Sequence, residues 1–151
     1  MVEGSREAHV LVVAHKTAAT PALLDAVRDR AERGPARFRL LVPSSPHVNW
    51  HVVHRARFQK VTPAEEAVLL ALPLLEDAAG DWVECSVSCR QDPMDAIEEA
   101  LMASHFDEII LSTLPRSLSR WLHVDLPRRV AHLGLPVTTV IGPEPVAAGV
   151  G

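Results

Sequence analysis

Three times along the chain a capping side chain stands directly before a proline: Thr20-Pro21, Thr62-Pro63 and Asp92-Pro93. Each pair is a helix start. Proline suits the first helical position, where its missing N–H has no partner to lose, and the oxygen of the preceding Thr or Asp accepts an otherwise orphaned amide. Thr62 is also followed three residues later by Glu65, the capping-box spacing. Stops are marked as clearly. Gly34 follows Leu23, Leu24, Val27 and Ala31, Gly80 ends a run carrying Val68, Leu72, Leu75 and Ala79 at helical spacing, and Gly134 closes a further helix. The helix opened by Pro93 carries Met94, Ile97 and Leu101 and runs to Ser104. Pro73 is expected to kink the helix that begins at Pro63, because its ring clashes with the preceding turn and it donates no hydrogen bond.

Between these helices lie five short apolar runs: His9 to Ala14, Phe38 to Val42, Trp82 to Val87, Glu108 to Leu111 and Val137 to Ile141. Near-continuous apolar runs that alternate with helices argue for a parallel sheet covered on both faces and reached by right-handed crossovers. The fold class is therefore α/β: a doubly wound, five-stranded parallel sheet flanked by four helices. With 151 residues the chain suits one domain, placed at 8–142, with residues 1–7 and 143–151 as flexible tails. Three Phe, three Trp and no Tyr leave the core to aliphatic side chains.

A net charge of −4 gives no global field toward nucleic acid or an anionic membrane, and neither is expected as a partner. No apolar run approaches the roughly 18 residues of a membrane span, and the polar start, Met1 to Ala8, does not read as an export signal. On one strand, Cys85 and Cys89 would stand about 13 Å apart, too far to bridge each other. Unpaired thiols fit a reducing compartment, and the expected location is the cytoplasm.

In an open parallel sheet, ligands sit beyond the carboxyl ends of the strands where strand order reverses. Two segments meet that description: Val12 to Thr20, after the first strand, and Ile109 to Val130, after the fourth. Together with Leu41-Val42-Pro43 and Leu135-Pro136-Val137, they resemble the universal stress protein family in pattern and element order. The resemblance implies an adenine-nucleotide alpha-hydrolase-like sheet. It also implies where a nucleotide would sit, since nucleotide-binding members carry an Asp just after the first strand and Gly-x-x-Gly, nine residues, Gly-Ser/Thr after the fourth.

This chain departs from both features. It has His15 at the first place, and the stretch from Ser112 to Asp125 contains no glycine. The seven glycines are otherwise engaged: Gly34, Gly80 and Gly134 as helix stops, Gly4, Gly142, Gly149 and Gly151 in or beside the tails. None remains to let backbone amides close on phosphate oxygens. Asp125 falls where such members have Ser or Thr capping the last helix, and a carboxylate there would repel a phosphate. Family-type ATP binding is expected to be absent or weak, and no cofactor is assigned.

Residues 116–132 are nevertheless the most basic part of the chain. Arg116 and Arg120, aided by Ser112, Thr113 and Ser117, form a candidate grip for a small anionic ligand, since guanidinium groups hold phosphate or carboxylate bidentately. The alternative is a solvated helix face in which Arg128 and Arg129 pair with Asp125. His15 and Thr17 sit where a ligand's base or acyl group would lie in such a fold. No nucleophile with a base and an orienting acid is visible, so no catalytic residue is assigned.

His47, His51 and His54 have the i, i+4, i+7 spacing of one helix face, but their neighbours are mediocre helix formers and no acid accompanies them, so no metal site is assigned. Trp121 and Leu122 are candidates for a surface anchor. Proteins of the resembling family commonly dimerise through the last strand, here Val137 to Ile141, and an apolar edge needs cover. Two functions lead, ahead of a small hydrolase or transferase for which no catalytic constellation is visible. One is a non-enzymatic, universal-stress-protein-like domain without family-type ATP binding, acting through protein contacts or a small ligand. The other is a nucleotide- or anion-binding stress regulator that uses Arg116 and Arg120 in place of the glycine loop.

Overall fold

A computed structural model of the chain describes residues 7–14, 18–43, 63–88, 90, 92–115, 120–123 and 125–142. In chain order the elements are β1 (Ala8–Val13), α1 (Pro21–Glu32), β2 (Ala36–Val42), α2 (Pro63–Ala79), β3 (Glu84–Val87), α3 (Pro93–Ala103), β4 (Glu108–Thr113), α4 (Arg120–His123), α5 (Leu126–Ala131) and β5 (Val137–Ile141). The strands stand in the order β3-β2-β1-β4-β5, and every pairing is parallel. This is the doubly wound sheet that the alternation of helices and apolar runs predicts.

Alternation along the strands sorts the core into two clusters. Val10, Val12, Phe38, Leu40, Val42 and Ile110 meet Leu23 and Val27 of α1 and Val68, Ala71, Leu75 and Ala78 of α2. On the opposite face Leu11, Val13, Leu41, Ile109 and Leu111 meet Met94, Ala96 and Ile97 of α3 and Leu126 and Val130 of α5. A strand covered on both sides has no polar face to show, which is why β1 reads as an unbroken apolar run.

The helix boundaries follow from local chemistry. Thr20 Oγ1 accepts from the Leu23 amide at 3.4 Å and Asp92 Oδ1 from the Met94 amide at 2.8 Å, while Thr62 lies outside the described residues. Gly80 and Gly134 have φ of 77° and 89°, the left-handed region that glycine enters without a Cβ penalty. α2 continues unbroken through Pro73, whose ring is exposed.

Several boundaries differ from the sequence expectation: β1 is shifted by one residue to Ala8–Val13, and β2 begins at Ala36, ahead of Phe38. β3 begins at Glu84 instead of Trp82, because the Trp82 amide donates to Asp81 Oδ1 at 2.8 Å and the Val83 amide to Glu76 Oε2 at 3.0 Å. β4 runs on to Thr113, which pairs with Ile141. The last helix is divided into α4 and α5, separated at Asp125 by a positive φ. The tail segments 1–6 and 143–151 lie outside the described residues, and Glu7 stands 3.5 Å from Arg37 as an ion pair. Among the described residues no helix is long and apolar enough to cross a membrane.

Candidate functional site

From β1 the chain moves outward to β2 and β3, then returns to the other side of β1 as β4 and β5. Strand order therefore reverses between β1 and β4, and the carboxyl ends of those two strands frame a crevice of the kind that takes ligands in open parallel sheets.

The floor of that crevice is buried. Ala14, just past β1, is fully buried and its amide donates to the Leu41 carbonyl at 3.2 Å. Ser112 and Thr113, the last two residues of β4, are each 1% exposed, and Pro115 is buried behind them. The Gly142 amide donates to the Thr113 carbonyl at 2.9 Å, which extends the β4–β5 ladder past its end. Ser88, beyond β3, is buried and its Oγ accepts from the Arg90 amide at 3.0 Å.

Among the described residues one buried polar side-chain atom here has no partner: the Thr113 hydroxyl, Oγ1, makes no hydrogen bond. By strand alternation it shares the face of Leu111, which α3 and α5 cover. An unmade hydrogen bond on a buried hydroxyl costs about 1–3 kcal/mol, so native proteins keep few of them.

The charged rim comes from α3 and α5. Asp92 caps α3 with one carboxylate oxygen, and its other oxygen lies 3.9 Å from Arg129 Nη2. Arg128 Nη1 lies 3.8 Å from Asp125 Oδ2. The expected pairing of both arginines with Asp125 thus holds for Arg128 alone, while Arg129 faces the cap of another helix. All four side chains are well exposed, so each pair contributes little to stability.

Asp125 itself corrects a sequence expectation. It occupies the N-cap position of α5 but sits at φ 57°, ψ 39°, and its side chain makes no cap hydrogen bond. The left-handed backbone turns the carboxylate out toward Arg128 and away from the helix amides. The position behaves as a glycine site carrying an aspartate, not as a Ser/Thr cap. Its carboxylate makes no hydrogen bond to the helix start and is partly offset by Arg128 at 3.8 Å.

Of the residues singled out from sequence, Ser112 and Thr113 are brought to the crevice, and Arg120 is the first residue of α4. The side chain of Arg120, and all of His15, Thr17, Arg116 and Ser117, lie outside the described residues. So do His47, His51, His54 and Cys89. Among the described residues no group of three or more His, Cys, Asp or Glu is arranged to hold a metal ion. Trp121 is half-buried against the core cluster of Leu11 and Val13, where it fastens α4 to the sheet. It is not a free surface anchor.

Two cavities lie elsewhere. One of about 530 Å³ runs between α1 and β4–β5, lined by Asp29, Glu32, Arg33, Ile110 and Thr138 among others. The second, about 360 Å³, opens at the amino ends of the strands, beside His9, Arg39, Glu84, His105 and Phe106. There His9 Nδ1 donates to the His105 carbonyl at 3.2 Å, and His105 Nε2 meets Asp107 Oδ1 at 2.9 Å.

No family model matches the sequence, and no curated protein matches it. Among solved structures the chain is similar to a universal stress protein from Archaeoglobus fulgidus, at 14% identity and a TM-score of 0.56, over 91% of this chain and 96% of that one. It is also similar to the universal stress protein from Archaeoglobus fulgidus in complex with dAMP, at 15% identity and a TM-score of 0.51, over 90% of this chain and 98% of that one. These likenesses establish a universal-stress-protein-like α/β fold.

Proposed function

We propose that this chain is a non-enzymatic binding domain of universal-stress-protein-like fold, which holds a small anionic ligand at the β1/β4 crevice with side-chain donors in place of a glycine loop. The observation that carries this is the Thr113 hydroxyl, buried without a partner at the one place where the topology opens the sheet to ligands. A ligand oxygen would supply the missing bond. Arg116, Ser117 and Arg120, in the segment that follows β4, are the proposed further donors, and guanidinium groups suit a phosphate or carboxylate.

No glycine stands between Ser112 and Leu126, which argues against the ATP cradle of the nucleotide-binding family members. One of the similar proteins is described in complex with dAMP, so a nucleoside monophosphate is the ligand class to try first. The test is a thermal-shift titration with AMP, dAMP, inorganic phosphate and ATP with Mg²⁺. A ligand present at 100 times its Kd stabilises by about 2.7 kcal/mol, a shift that is readily seen. AMP, dAMP or phosphate is expected to raise Tm, ATP with Mg²⁺ to do no better, and Thr113→Val and Arg120→Ala each to abolish the response. Silence from every ligand, or phosphate release from ATP by the clean protein, would sink the proposal.

A homodimer through β5 is a second, compatible reading. β5 is an edge strand whose Thr138, Thr139 and Ile141 are exposed, with Ile141 at 49%. A twofold partner would cover that edge. Light scattering decides the matter: a mass that stays near 16.5 kDa at all concentrations removes the dimer.

A further inference from the structure

α2 is apolar on two opposite sides. One side is taken by the core, where Val68, Ala71, Leu75 and Ala78 are buried against the sheet. At about 100° per residue, Leu69, Leu70 and Pro73 fall on the far side and Leu74 on the flank beside them. They face water: Leu69, Leu70 and Leu74 are 62%, 65% and 46% exposed, and Pro73 is exposed between them. A surface helix ordinarily turns charged residues outward, and a contiguous exposed apolar patch such as this one is found where something covers it.

The surroundings of the patch say what kind of cover fits. Glu66 and Asp77 are exposed on this same outer face, one at each end of the leucines, and Asp81 is exposed just past the helix. α2 contains no Lys, Arg or His. Trp82, 64% exposed beside Asp81, adds an aromatic of the type that anchors interfaces. A second copy packed antiparallel about a twofold axis level with residues 71 and 72 would pair the leucines but bring Glu66 of one chain against Asp77 of the other, acid upon acid. An anionic lipid surface meets the same repulsion.

We infer that the outer face of α2 is a docking surface for a partner helix that is apolar along one side and basic at its flanks. Leu69, Leu70 and Leu74 supply the area that loses water, and Glu66 and Asp77 select the sign of the partner's charge. This surface is independent of the crevice at β1 and β4.

The probe is a labelled synthetic amphipathic peptide of Leu and Lys, titrated with the full chain and followed by fluorescence anisotropy, beside a matched peptide of Leu and Glu. The Lys peptide is expected to bind saturably and more weakly as salt rises, and the Glu peptide not to bind. Leu70→Gln with Leu74→Gln, and separately Glu66→Lys with Asp77→Lys, should each weaken binding by at least about tenfold. Tm should fall only slightly, because Leu70 and Leu74 are already about half or more exposed and Glu66 and Asp77 are exposed. Equal binding of both peptides, or indifference to the Leu→Gln pair, would overturn the inference. So would self-association that the Leu→Gln pair reverses. Binding that emerges only when residues 44–62 are replaced by a Gly-Ser linker would also overturn it, by giving the face to the chain's own segment.

Discussion

Arg30 Nε and Glu108 Oε2 meet at 2.9 Å with only 12% and 22% of their side chains exposed, although 78 residues separate them. The pair fastens the last turn of α1 to the first residue of β4, across the reversal in strand order. Arg30 also lies where the carbonyl end of α1 favours a cation.

Removing one partner leaves the other charge largely out of water. Arg30→Ala is therefore expected to lower stability by about 1.5–3 kcal/mol, read as a fall in urea midpoint without change in slope. The double replacement Arg30→Met with Glu108→Met should recover part of that loss, since two apolar side chains leave no orphaned charge. A single-variant effect near zero would mean that water reaches the site freely.

The caps offer a graded test. Asp92→Ala removes a charged acceptor held at 2.8 Å and should cost about 1–2 kcal/mol, whereas Thr20→Ala removes a 3.4 Å bond and should cost about 0.5 kcal/mol. Equal losses in thermal or chemical denaturation would contradict the ordering.

Much of the fold was legible because its punctuation is local. A Thr or Asp before a proline declares a helix start whatever surrounds it, and Gly80 and Gly134 end helices by a backbone angle that belongs to glycine itself. The errors arose where side-chain capture or a later strand decides. Asp81 and Glu76, one and seven residues back, take the amides of Trp82 and Val83 and shorten β3, which the apolar run itself does not announce. β4 outlasts its apolar run because Ser112 and Thr113 find ladder partners in Val140 and Ile141, which come much later in the chain.

The candidate site was legible in position and not in state. Ser112 and Thr113 follow from the rule for open sheets, but the unpartnered Thr113 hydroxyl depends on what α3 and α5 bring over it. Asp125 was read as a cap because it falls where members of the resembling family carry the Ser or Thr that caps the last helix. Its left-handed backbone, which cancels that role, is set by how α4 turns into α5.

Asp125 yields a signed prediction. Relief of the left-handed conformation is worth about 1–2 kcal/mol, and a glycine loses roughly 0.5–1 kcal/mol more entropy on folding, so Asp125→Gly should stabilise the chain by up to about 1 kcal/mol. Asp125→Val should destabilise it, because a β-branched side chain tolerates that backbone poorly. Denaturation midpoints of the two variants should fall on opposite sides of the parent's.

Thr113→Val exchanges the buried, unpartnered hydroxyl for a methyl group of similar shape. Without ligand the variant should be more stable by up to about 1–2 kcal/mol, since the desolvation penalty disappears. Calorimetry of the free protein checks this. A loss of stability would mean that the hydroxyl has a partner in solution.

β1 is the middle strand, paired with β2 on one side and β4 on the other, and Val10 to Val13 are 0–1% exposed between them. The amide of His9 is held by Asp107, 98 residues further on. A nascent chain that has reached only β3 therefore holds its most apolar strand as an open edge, ready to pair with another chain. A chain ending at β3 is expected to stay open to misassembly until β4 arrives to close the sheet.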